Sequence, residues 1–213
     1  MAYDFDKIAR TYDHLNRVMT LGLDRRWRKR AVKGLHGNVL DVACGTGDMM
    51  VSLMERGCTV TGVDISEEML DVARFKVKGS RLMVADAEHL PFEDNTFDAI
   101  TCAFGVRNFV HLEQGLGEML RVLKSGGTMV ILELATPDSK LIKPFYNIYT
   151  KHIIPWLGSR IAGNREAYTY LPESIVRFSK GKDFTGMVER LGGKTTEHKF
   201  TFGVCRQYCI KKC

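Results

Sequence analysis

A chain of 213 residues, 45% of them apolar and 26% charged, is long enough to bury a sizeable core and predicts a single domain over residues 1–213. No apolar run approaches the roughly 18 residues of a membrane-crossing helix. The opening "MAYDFDKIARTYDHL" is mixed and acidic where a secretion leader would be basic and then apolar, so a cytoplasmic protein is expected. The net charge of +6 raises the question of an anionic partner.

In chain order, Tyr12, Leu15, Asn16 and Met19 recur at near-helical spacing and predict a helical lid over about residues 1–36. Within it Arg25, Arg26, Arg28, Lys29, Arg30 and Lys33 crowd one segment. This reads as a solvated helix face or as a surface that touches anionic lipid at the inner face of the membrane. From Val39 to Leu134 apolar runs alternate with amphipathic stretches. "NVLDVA" is a first strand and Asp48 to Arg56 a helix. "CTVTGVD" is a second strand, followed by the helix "SEEMLDVARFKV" with Ser66 as its cap. "RLMVAD", "FDAITCAF" and "TMVILELA" are the third to fifth strands, with the helix "LEQGLGEMLRVL" and the turn "KSGG" before the fifth. Such near-continuous apolar strands between helices predict a doubly wound α/β sheet, mostly parallel and covered on both faces. Residues 136–178, rich in proline and tyrosine with no clean period, read as an insertion on the substrate side, where Tyr146, Tyr149, Trp156, Tyr168 and Tyr170 are candidates to line a channel. A helix from Asp183 to Leu191 and two strands, "GGKTTEHKF" and "VCRQYCIKK", close the sheet at seven strands as an antiparallel edge pair.

The cysteines at 44, 58, 102, 205, 209 and 213 contain no CxxC pair and read as reduced thiols, with no metal site expected. Ligands of doubly wound sheets lie beyond the carboxyl ends of the strands. There the chain places Asp41, the loop Cys44–Asp48 with Gly45, Thr46 and Gly47, then Asp64 with Ile65, Asp86 with Ala87, and Ala103 to Asn108. A phosphate loop needs a lysine where Asp48 stands, and the dinucleotide fingerprint needs a third glycine where Met50 stands. Two loop carboxylates would also repel a pyrophosphate. S-adenosylmethionine suits the set better. Asp41 can hold its ammonium, loop amides and a helix N-terminus its carboxylate, Asp64 its ribose hydroxyls, and Asp86 with the Ala87 backbone its adenine. The Asn/Asp-Pro-Pro-aromatic turn of enzymes that methylate base nitrogens is missing after the fourth strand, and Cys102 falls inside that strand as core. No nucleic acid is therefore expected.

The segments "FDKIARTYDHLNRVMTLGLDRRWR", "VLDVACGTGD", "DISEEML", "ADAEHLPFEDNTFDAITCAFGVRN", "EMLRVLKSGG" and "YTYLPESI" together resemble the UbiE/MenG-type quinone-biosynthesis C-methyltransferases over nearly the whole chain. The resemblance implies a Rossmann-like class I S-adenosylmethionine-dependent methyltransferase acting on a ring carbon of a polyprenylated hydroquinone, demethylmenaquinol or a ubiquinone precursor. It carries cofactor contacts onto Thr46, Asp64, Asp86 and Ala87. Ala103 stands where members often have serine, and "KSGG" replaces the usual "KPGG". A phenol that loses its proton pushes charge onto the ortho carbon, so the site has to stabilise an oxyanion. Arg107 is the candidate for that role and Asn108 for orienting the ring oxygen. Base candidates are Asp13, His14 and Tyr146, directly or through a water, and the sequence does not choose among them. Other phenol, sterol or polyketide acceptors, an inactive assembly factor and a homo-oligomer are the alternatives left open.

Overall fold

The alternating pattern resolves, in the computed structural model, into one seven-stranded sheet. Residues 6, 9, 11–154, 173–178 and 183–213 are described. Trp156, Tyr168 and Tyr170, with residues 168–172 of "YTYLPESI", lie outside them. Two short helices, α1 (Tyr12–Thr20) and α2 (Leu23–Ala31), precede β1 (Asn38–Val42). Next come α3 (Asp48–Met54), β2 (Thr59–Asp64), α4 (Glu67–Lys76), β3 (Arg81–Val84) and β4 (Phe97–Ala103). After a 3₁₀ turn at Val106–Asn108 follow α5 (Leu112–Val122), β5 (Leu123–Leu134) and α6 (Ile142–Ile148), which runs on as a π-helical turn, Tyr149–Ile153. The chain closes with a helical stretch at 173–178, α7 (Phe184–Arg190), β6 (Gly193–Phe200) and β7 (Cys205–Lys212).

The strand order is β3-β2-β1-β4-β5-β7-β6. The first five strands are parallel, and β7 runs antiparallel to both β5 and β6. The order reverses between β1 and β4, which opens a crevice at their carboxyl ends. Period-two alternation sorts β1 between two layers. Leu40 and Val42 join Ile100, Leu116, Met119 and Val188 under α5 and α7, while Val39 joins Trp27, Met50, Leu53 and Ala73 under α2, α3 and α4. Asp41 therefore points into the α2 and α3 layer with Thr101 of β4, whose hydroxyl donates to it at 2.6 Å.

Ser66 caps α4 as expected, its oxygen accepting from the Met69 amide at 3.1 Å. "KSGG" is not a turn ahead of the fifth strand but a bulge within it. The register with β4 jumps from Phe97↔Leu123 to Ala99↔Thr128, and Gly126 takes φ +72° to make the detour. Among the described residues no helix is long and apolar enough to cross a membrane.

Candidate functional site

The main cleft lies at the topological crevice, about 930 Å³ counted to its open mouth. Its wall takes Ala43 and Gly45 after β1, Asp64 and Ile65 after β2, and Asp86 and Ala87 after β3. Ala103, Gly105 and Asn108 follow β4, and Tyr12 of α1 closes one side. The strand ends are tied edge to edge. The Cys44 amide donates to the Val63 carbonyl at 3.0 Å, that of Ala85 to Asp64 at 3.0 Å, and that of Phe104 to Leu132 at 2.7 Å. Two non-glycine residues at these ends, Ala43 (φ +52°) and Phe104 (φ +62°), sit in the left-handed region, a strain that clusters at binding sites. A Cβ on Gly105 would stand 2.8 Å from the Ala43 side chain, so glycine is what lets the loops after β1 and β4 meet.

Asp64 accepts from the Gly45 amide at 2.7 Å and the Ser66 amide at 3.0 Å, and burial still pushes its carboxyl above the usual range. Asp86 accepts from the Glu88 amide at 2.9 Å. Gly47 (φ +84°) starts α3, where a Cβ would press on Ala73 and Val77 of α4 at 3.3 Å. Asp41 faces not the main cleft but a small polar recess beside it, about 310 Å³ only when counted out into open solvent, lined also by Arg28, Cys44, Gly45, Thr46 and Asp48. It is 0% exposed. One carboxylate oxygen has no hydrogen-bond partner among the described residues, and burial pushes the Asp41 pKa up to about 7.

The catalytic candidates separate. Asn108 reaches the main cleft. Arg107 does not line it: its guanidinium is buried against Glu133 at 2.7 Å, with the Phe104 carbonyl and the Ser174 hydroxyl also accepting. His14 is exposed on α1 and lines neither cavity. Burial pushes the Tyr146 phenol up to about 12, although the nearby Arg107 charge opposes it, so its phenolate is scarce at neutral pH. Asp13 is engaged elsewhere, accepting from Thr46 Oγ1 at 2.5 Å and pairing with Lys76, which also holds Asp48 at 2.7 Å. Burial raises the Asp48 carboxyl, but the Lys76 ammonium outweighs it and the net shift is downward.

This Asp13–Lys76 link fastens α1 over the glycine loop, helped by Leu15 packing on Met69 and by the Tyr149 hydroxyl donating to the Val18 and Met19 carbonyls at 3.2 Å. Asp13→Ala is expected to speed amide exchange across Tyr12–Thr20 by about tenfold while β1 and β4 keep their protection, as a half-buried latch warrants. Unchanged exchange in α1 on mass analysis would rule the latch out.

Arg28 and Glu133 carry chemistry that the sequence reading did not single out. Arg28 stands in the basic segment, yet its side chain is 6% exposed and bonds Asp24 at 2.5 Å. The signal available was the i, i+4 spacing of Asp24 and Arg28 on the same helical side as Trp27 and Ala31. Glu133 offered none.

A family model described as the ubiE/COQ5 methyltransferase family matches residues 2–212. A protein named demethylmenaquinone methyltransferase from Bacteroides fragilis is 42% identical over 221 aligned positions, covering 98% of this chain and 90% of its own. One from Geobacter sulfurreducens named ubiquinone/menaquinone biosynthesis C-methyltransferase UbiE is 42% identical, covering 98% of this chain and 86% of its own. In fold, a chain of the complex holding the Haloferax volcanii Trm112 methyltransferase activator aligns over 100% of this chain and 99% of its own, with a TM-score of 0.71 at 18% identity. Sheet order, crevice and a match along almost the full length agree, and the chain belongs to the ubiE/COQ5 methyltransferase family.

Proposed function

We infer that this chain is an S-adenosylmethionine-dependent C-methyltransferase of quinone biosynthesis that converts demethylmenaquinol to menaquinol. The observation that carries the reading is a set of carboxylates at successive strand ends, Asp41, Asp64 and Asp86, beside a main cleft that has no lysine or arginine among its lining residues to hold a phosphate, in a chain 42–43% identical to proteins of that name. The site fits the cofactor: the orphaned buried oxygen of Asp41 wants a cation, and Asp64 and Asp86 line a cleft of ligand size.

Bound S-adenosylmethionine supplies an electrophilic methyl on a cationic sulfur. In this reading Asp64 takes the ribose hydroxyls, while Asp86 and the Ala87 backbone take the adenine. Ile65 and Ala103 shape the walls, and Gly45, Thr46 and Gly47 form the loop under the methionine part. Asn108 orients the quinol oxygen. Arg107 acts from behind the cleft wall, fixing the turn that presents Asn108 and lending positive potential to a nearby ring oxyanion. With Tyr146 held protonated, His14 turned out and Asp13 engaged, the phenol proton goes to water at the open mouth. Much of the rate comes from alignment of methyl and ring carbon. Incubation with methyl-labelled cofactor and demethylmenaquinol tests this: the label is expected on a ring carbon, and label on oxygen, or none, rules the reading out.

In this reading α1, whose Tyr12 lines the cleft, serves as a lid on the substrate side of one domain. The prenyl tail keeps the substrate in a bilayer, so the enzyme works at the inner membrane face. Leu141 (82% exposed), Phe145 (73%) and Ile148 make an apolar stripe along α6 with Lys140 and Lys143 beside it, a pattern suited to an anionic lipid surface. Leu141→Ser with Phe145→Ser is expected to cut co-sedimentation with vesicles rich in phosphatidylglycerol by about tenfold. Retention equal to the parent protein and indifferent to salt would remove the membrane from the reading.

A further inference from the structure

We propose that Arg28 and Asp41 form a paired-charge subsite for the amino-acid end of the methyl donor, Arg28 receiving the α-carboxylate and Asp41 the α-ammonium. The proposal rests on the reading of this chain as an S-adenosylmethionine enzyme and adds to it a residue from the N-terminal lid.

Two buried side-chain atoms beside the glycine loop have no hydrogen-bond partner among the described residues, the Nε of Arg28 and the Oδ2 of Asp41. Each side chain is more than nine-tenths buried. An orphaned buried donor or acceptor costs about 1–3 kcal/mol, and more when charged. Both line the same polar cavity, which shares Tyr12, Ala43, Gly45 and Ala103 with the main cleft. A ligand seated in that cleft can therefore turn one short polar end toward the two orphaned atoms at the mouth of this recess. An α-amino acid carries its cation and anion two bonds apart and answers both orphans at once.

Arg28 is held ready for this. Its Nη1 donates to Asp24 at 2.5 Å, Asp24 accepts from the Thr20 hydroxyl at 2.9 Å, and the guanidinium lies 4.9 Å from the centre of the Phe104 ring. One edge and one face are engaged, and the Nε edge is left for an anion. A bidentate carboxylate suits such a planar, permanently charged fork.

Three of the loop amides that the sequence suggests for the carboxylate are committed elsewhere. Cys44 N donates to Val63 O at 3.0 Å, Gly45 N to Asp64 at 2.7 Å, and Gly47 N to Cys44 O at 2.9 Å. The Asp48 carboxylate occupies the first turn of α3 and would repel a second anion. Arg28 is the cation that faces this cavity among its lining residues.

Calorimetry with three ligands tests the assignment: S-adenosylhomocysteine, 5′-methylthioadenosine, which lacks the amino-acid end, and decarboxylated S-adenosylmethionine, which keeps the ammonium. Arg28→Met is expected to weaken S-adenosylhomocysteine by more than roughly 30-fold, as loss of a buried charge partner does. It should leave 5′-methylthioadenosine within about threefold, which also shows that the variant is folded. Arg28→Lys should recover part of the loss, and the preference of the parent protein for carboxylated over decarboxylated donor should vanish in Arg28→Met. Equal weakening of S-adenosylhomocysteine and 5′-methylthioadenosine would make Arg28 a merely structural residue and overturn the proposal, as would unchanged S-adenosylhomocysteine binding. A parent protein that binds none of the three sinks the enzyme reading along with it.

Discussion

Asp41→Asn is expected to raise the stability of the ligand-free protein at pH 8 by about 2 kcal/mol while weakening S-adenosylmethionine by more than roughly 30-fold. Asp41 has a pKa of 3.8 when unfolded and about 7 when folded, with burial as the main cause and the Thr101 hydrogen bond only partly opposing it. Below about pH 4 both states hold the proton and the penalty is absent. As pH rises toward 7 the unfolded chain releases the proton and the folded one keeps it, so stability falls by about 1.4 kcal/mol per unit, roughly 4 kcal/mol over the window, and then levels off. Asparagine removes the ionisation cost but leaves an amide donor to satisfy, which takes back part of the gain. Affinity runs the other way. The donor's ammonium stays charged, so in the parent protein binding is expected to fall about tenfold per unit as pH drops below 7, with a flat profile in Asp41→Asn. Urea melts at pH 5 and pH 8 with titrations across the same range decide the matter. A variant less stable than the parent at pH 8, or one that keeps the slope, would contradict the assignment.

The second large effect is expected at the buried pair of Arg107 and Glu133, whose side chains are 4% and 1% exposed. Glu133→Ala removes the carboxylate facing a guanidinium that cannot shed its charge, and should cost about 3–5 kcal/mol. Arg107→Met should cost less, because burial already pushes the Glu133 carboxyl upward and it can neutralise itself by taking a proton. That cost should shrink as pH falls, since the neutral acid is what the site then tolerates. The double variant Arg107→Met, Glu133→Leu should regain most of the stability, yet turnover is expected to stay at least about 100-fold down, since the turn carrying Asn108 has lost its brace and the ring oxyanion its nearby charge. Restored stability together with restored turnover would show that the pair serves folding alone.

The strand-end acids were legible because a parallel strand has to be apolar until it leaves the sheet, so the first acid after an apolar run marks the ligand end. Asp64 and Asp86 fall there as read, and Gly45 and Ala87 beside them. Arg107 was read as pointing into the cleft because the turn after β4 faces it. The turn does face it through Asn108, but Arg107 is drawn back by Glu133 on the neighbouring strand, 26 positions along the chain. Arg28 was read with a basic surface because charge composition says nothing of direction. Its helix turns that one residue inward toward Asp24, Asp41 and Phe104.

By itself the sequence determined the α/β order, the N-terminal helical segment, the cap at Ser66, the carboxylates at the strand ends and the resemblance that the family match bears out. Those rest on local period and spacing, which act over a few residues. Tertiary structure decided which charges face each other: Arg28 toward the Asp41 cavity, Arg107 toward Glu133, Asp13 toward Lys76. Such pairings join residues far apart in the chain, and their energies are set by burial, which exists only once the layers have closed.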